Sequence, residues 1–256
     1  MLVPGLVAAG VGSLIFVGLD NWTGLGTFSL ALPDLPPFGQ PHLVHFGWAL
    51  AIGVAAAVLG TGIRRLALAL RPHVERRLLL ATPLAGMAVA GLAIVCAEAS
   101  GHSSSEVLFS GQDALGPLVS QSASYSVGAL LLLIACKGLA YSASLASFRG
   151  GPVFPAMFLG AAGGVALSHL PGLPLVAGVA MGIGAMCVVM LNLPITSVLL
   201  ATLLLASDGL AVMPLVIVAV AVAYVASARL TPAPSPGPAA APAVEQPVQP
   251  PRSPVR

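Results

Sequence analysis

The chain has 256 residues and a net charge of +2, with 57% hydrophobic and only 7% charged residues and a mean hydropathy of +1.00. A soluble domain carries about a quarter charged residues, so this composition excludes a water-soluble fold and marks an all-α integral membrane protein. A balance so near neutrality also excludes nucleic acid as a partner.

The first apolar segment has no basic residue before it, and similar segments recur along the whole chain, so it reads as a transmembrane segment rather than a cleaved leader. Apolar runs predict helices over 2–19, 43–70, 78–97, 125–146, 153–169, 174–190, 194–206 and 211–228, with a short polar-flanked helix over 104–117. A full span takes about 20 residues. The segments after Pro152, Pro174 and Pro194 fall short of that and are expected to be tilted or partial helices whose ends meet inside the protein. Proline suits their first turns, where its missing N–H would have had no helical partner.

Arg64, Arg65, Arg71, Arg76 and Arg77 crowd an expected loop over 64–77 with only Glu75 opposing them. The positive-inside rule puts that loop in the cytoplasm and makes the chain a multi-pass protein of the cell membrane. The segment 20–42, which contains Asp34 and no Lys or Arg, then lies outside. From Thr231 to Arg256 the composition turns to Pro, Ala, Gln and Ser, and nine of the 23 prolines fall there. The expected division is a transmembrane domain over 1–230 and a disordered cytoplasmic tail over 231–256. Cys96, Cys136 and Cys187 lie apart in apolar sequence and read as small buried hydrophobes.

The break at Phe148-Arg149-Gly150-Gly151-Pro152-Val153-Phe154-Pro155 carries the most information. A membrane interior tolerates non-helical backbone only where protein or a water-filled cavity surrounds it. A helix starting after Gly151 points the free N–H groups of Val153 and Phe154, and the positive end of its dipole, out of its first turn. That is an anion site in outline. The alternative is that Gly150 and Gly151 only allow close helix packing.

The stretch Lys137 to Leu159, KGLAYSASLASFRGGPVFPAMFL, resembles the second-half signature of the ClC family of chloride channels and chloride/proton exchangers, whose GGxFxP element opens a half-helix at the ion pathway. Gly182-Ile183-Gly184-Ala185-Met186 resembles the family's GMGA helix start, and Leu193-Pro194-Ile195-Thr196 its APLT element; Ser105 to Gly116 resembles the short helix before them. The resemblance runs over residues 2 to 228. It implies a ClC-like second inverted repeat preceded by the last helix of the first, without the GSGIP and GREGP loops of the missing half. It further implies chloride transport in truncated form within a lipid bilayer. The partner is a second copy in a homodimer or a complementary chain bearing the N-terminal half. The alternative is a non-conducting remnant or scaffold subunit that needs a separately encoded first half.

In the family the two residues after the glycine pair give their N–H groups to the anion; here these are Pro152 and Val153, and proline has none to give. The resemblance therefore puts the anion at Gly150, Gly151, Pro152, Val153 and Phe154, with Val153 and Phe154 as donors. Arg149, Lys137 and Pro155 are candidates to line the pathway. Arg149 either draws anions inward or pairs with backbone carbonyls, and Lys137 either steers anions or meets a partner such as Glu106 or Asp113. Asp208 is expected to border or cap the last helix. His45, His102 and His169 lack ligand spacing for a metal, and Ser103, Ser104 and Ser105 lack a paired His and Asp, so neither a cofactor nor an enzyme activity is expected.

Overall fold

A chain facing hydrocarbon has to satisfy its backbone N–H and C=O groups internally, and for separate apolar runs the helix is the structure that does so. The computed structural model describes residues 2–24, 31–32, 35–148 and 150–231. Among these, every regular element is helical: α1 (Leu2–Thr23), α2 (Leu43–Arg76), α3 (Leu78–Ser100), α4 (Ser105–Leu108), α5 (Gln112–Ser120), α6 (Val127–Ser147), α7 (Val153–Ser168), α8 (Leu175–Leu191), α9 (Pro194–Leu204) and α10 (Gly209–Leu230), with 3-10 turns at Ser122–Ser124 and Ala206–Asp208.

Helices α2, α3, α6 and α10 are long and apolar enough to cross a membrane. Helices α7, α8 and α9 have 16, 17 and 11 residues. At 1.5 Å per residue they reach about 24, 26 and 17 Å, short of a hydrocarbon core of about 30 Å. The expectation of partial helices after Pro152, Pro174 and Pro194 thus matches the architecture.

Two expectations need correction. Residues 64–77 are not a loop: α2 runs on through Pro72 to Arg76, leaving Arg77 as the only link to α3. Leu, Ala, Arg and Glu are all good helix formers, and Arg71 and Glu75 sit one turn apart in an ion pair of 2.7 Å, so density of charge did not mean loss of helix. The single helix over 104–117 is two, α4 and α5, separated at Phe109–Gly111. Gly111 holds φ at +91°, and a Cβ there would lie 2.7 Å from the Phe158 ring, so the chain must turn where α7 presses against it. The tail over 232–256 lies outside the described residues.

The core is built around α8, in which every residue from Val176 to Val189 is buried. Helices α7, α10, α2 and α9 pack around it. Contact with α7 is backbone to backbone: Gly160 faces Gly182 and Gly164 faces Gly178, and a Cβ on any of the four would come within 2.8 Å of the opposing glycine's carbonyl oxygen. By contrast, among the described residues α3 buries only Ala93 and Cys96, and α1 packs closely against no other element. The segment before α2 is tied down by bonds that include Leu32 N–H to the Leu204 carbonyl at 2.8 Å and Phe38 N–H to the Asp208 carboxylate at 3.3 Å. Asp208 stands at the N-cap of α10 but spends its carboxylate on this tie rather than on the helix's own amides.

Candidate functional site

Helix α6 ends at Ser147, Phe148 is extended, and α7 begins at Val153 with Pro152 before it. The first bond that α7 forms runs from Ala156 N–H to the Pro152 carbonyl at 3.2 Å. Pro152 and Pro155 have no N–H, so the first turn offers only the amides of Val153 and Phe154, which lack helical partners by geometry. Among the described residues nothing lies within 4 Å of a Cβ built on Gly150 or Gly151. Toward those residues the glycine pair leaves the approach to α7 open.

A cavity of about 230 Å³ lies against this opening. One wall is a face of α6, carrying Lys137, Tyr141 and Ser144 at helical spacing, with Phe148 just past its end. A second is the turn between α4 and α5, and the third is formed by Gly150, Gly151 and Pro155. Of the residues singled out in the sequence, the fold thus gathers Lys137, Gly150, Gly151 and Pro155 around one space. Pro152, Val153 and Phe154 do not line it; the side chains of Val153 and Phe154 pack against the core instead. Arg149 lies outside the described residues.

Lys137 is 2% exposed, and its partners are not the carboxylates expected from the sequence. Its ammonium donates to the backbone carbonyls of Glu106 and Phe109 at 2.5 Å and of Val107 at 3.3 Å, and it lies 4.8 Å above the Phe158 ring centroid. Three protons meet three acceptors, closing the C-terminal end of α4 as a cation should. The Glu106 carboxylate instead accepts from the Tyr125 hydroxyl at 2.7 Å. Burial, reinforced by that bond and by the carboxylate's charge, pushes the Tyr125 phenol above its ordinary range, so it remains the donor. No Asp or Glu lines the cavity among the described residues. Lys137 therefore keeps a positive charge on the wall that is bonded to carbonyl oxygens and feels the Glu106 carboxylate through space without forming an ion pair with it, in surroundings where water screens it poorly.

Sequence reasoning missed Tyr141, which is 8% exposed, lines the cavity and has a buried hydroxyl without a hydrogen-bond partner among the described residues. The available signal was its position one turn after Lys137 on the same helix. Among the described residues no group of three or more His, Cys, Asp or Glu is placed to hold a metal ion.

Among the described residues, then, the break between α6 and α7, the glycine-lined approach and the buried Lys137 border one cavity. The chain belongs to the voltage gated chloride channel family, whose model matches residues 1–228. It is a multi-pass membrane protein of a family of chloride channels and transporters. Neither a curated protein nor a solved structure matches the chain.

Proposed function

We propose that this protein takes part in chloride transport by holding the anion in the cavity ahead of α7, where the α7 dipole and the charge of Lys137 supply the attraction across a distance, the N–H groups of Val153 and Phe154 lying beyond the cavity's lining. The observation that carries this reading is the cavity itself: glycine backbone on one side, a buried ammonium on another, and no carboxylate on its walls among the described residues. Lys137 contributes field rather than contact, because its protons are committed to carbonyls. Passive conduction fits better than proton-coupled exchange, which needs a titrating carboxylate at the pathway.

The short helices α7, α8 and α9 favour a partner, since helix ends within hydrocarbon need protein or water around them. A second copy or a chain carrying the first inverted half would supply that cover. The second reading is a scaffold subunit that keeps the fold without conducting. Efflux of labelled chloride from liposomes, with and without a first-half chain from a family member, separates the two. Flux above protein-free vesicles that Gly151→Leu abolishes supports conduction through this cavity. Equal flux in both proteins moves the pathway elsewhere, and no flux with the first half added supports the scaffold.

A further inference from the structure

The arginines of α2 take no part in the cavity ahead of α7, yet their placement is tightly constrained. Arg77 alone joins α2 to α3, and α3 opens with Leu78, Leu79 and Leu80, which are 58%, 92% and 63% exposed. Leu68, before the last arginines, is 63% exposed as well. Leucines turned outward on both sides belong in hydrocarbon, so the hairpin end between them is confined to the layer of lipid headgroups. Just inside that end, between α2 and α6, lies a second cavity of about 220 Å³. Its walls are Arg64, Ala67, Leu68 and Arg71, one face of α2 over two turns, and Leu145 of α6.

Both arginines keep donors in reserve. Arg64 gives one Nη1 bond to the Val189 carbonyl at 3.2 Å, and Arg71 gives Nε to Glu75 at 2.7 Å in a pair that is 63% and 59% exposed. A guanidinium has five N–H donors, so most of each fork is unspent. No acidic side chain lines the space among the described residues. We propose that this cavity binds the phosphodiester headgroup of an anionic phospholipid, the phosphate lying between the Arg64 and Arg71 forks and the first acyl carbons lying on Leu68 and Leu145. Arginine forks match phosphate oxygens in pairs, which a spherical halide cannot use. The apolar half of the wall suits a lipid and gives nothing to a free anion, and basic pockets between membrane helices hold such headgroups.

The test is native mass spectrometry of the full chain in detergent with phosphatidylglycerol or phosphatidylcholine of matched acyl chains. Phosphatidylglycerol is expected to be retained about tenfold better. The double variant Arg64→Gln/Arg71→Gln should erase that preference, Arg64→Lys/Arg71→Lys should weaken it, and Arg76→Gln/Arg77→Gln, outside the cavity, should leave it. Equal retention of the two lipids overturns the proposal, as does equal loss in both Gln pairs, which would mean diffuse charge. Displacement by an equal concentration of glycerol 3-phosphate overturns it too, since the site would then be one for free phosphate. Should the first pair fail to fold for want of the Arg64 bond to α8, Arg71→Gln alone is read, and an unchanged preference refutes the assignment.

Discussion

Lys137 shows how one side chain can be both structural and electrostatic. Four-residue α4 cannot hold itself, since a helical nucleus of that length is unfavourable in isolation. The ammonium fixes its end by binding three carbonyls. Lys137→Met keeps the stem and strands those oxygens, so a loss of about 2 kcal/mol or more is expected in denaturant unfolding of the detergent-solubilised protein. Tyr141→Phe should act in the opposite direction in chloride-free buffer, gaining about 1 kcal/mol, because it deletes a buried hydroxyl that has no partner among the described residues. A loss there instead would reveal a partner for the hydroxyl. Lys137 stood out in the sequence because a lone cation in apolar surroundings is rare. Tyr141 did not, because a phenol on an apolar helix is ordinary until its hydroxyl proves to be orphaned.

Between elements, the decisive contact is the crossing of α7 and α8, where Gly160, Gly164, Gly178 and Gly182 let two backbones touch. Small residues four apart on each helix are how membrane helices approach so closely, since the surrounding lipid gives no hydrophobic drive. The crossing holds α7 against the buried α8 and so fixes where its N-terminus points. Gly163 and Gly164 are neighbours with opposite surroundings: a Cβ on Gly163 meets nothing within 4 Å, while one on Gly164 meets the Gly178 backbone. Gly163→Ala should therefore be neutral or stabilise by up to about 1 kcal/mol through helix propensity. Gly164→Ala should cost about 2 kcal/mol or more by forcing the helices apart, and thermal unfolding of the two variants side by side checks the difference. The start and end of α7 and α8 were legible within one or two residues because proline and glycine punctuate locally. The break between α4 and α5 was not, because it depends on Phe158, a residue 47 positions beyond Gly111 whose approach no local pattern announces.

At the scale of the whole molecule, the order of helices follows from hydropathy, whereas the full course of α2 does not, because the crowded arginines at its end carry the composition of a loop. Its true length sharpens the topology. Thirty-four residues make a helix of about 51 Å, well beyond a hydrocarbon core of about 30 Å, so it is long enough for its two ends to emerge on opposite sides of the membrane. The end that carries Arg71 and Arg76, followed by Arg77, has Glu75 as its one acid, and on the positive-inside rule we propose a cytoplasmic position for that end. His73 lies there and is exposed, while Gln40, also exposed, lies just before the other end. The native cysteines Cys96, Cys136 and Cys187 are buried, so an introduced thiol reports with little background. In right-side-out vesicles, Gln40→Cys should react with a membrane-impermeant maleimide at once and His73→Cys only after lysis. The reverse pattern would turn the molecule over, because the five arginines would then lie outside against the charge rule, and the headgroups beside Arg64 and Arg71 would belong to the outer leaflet.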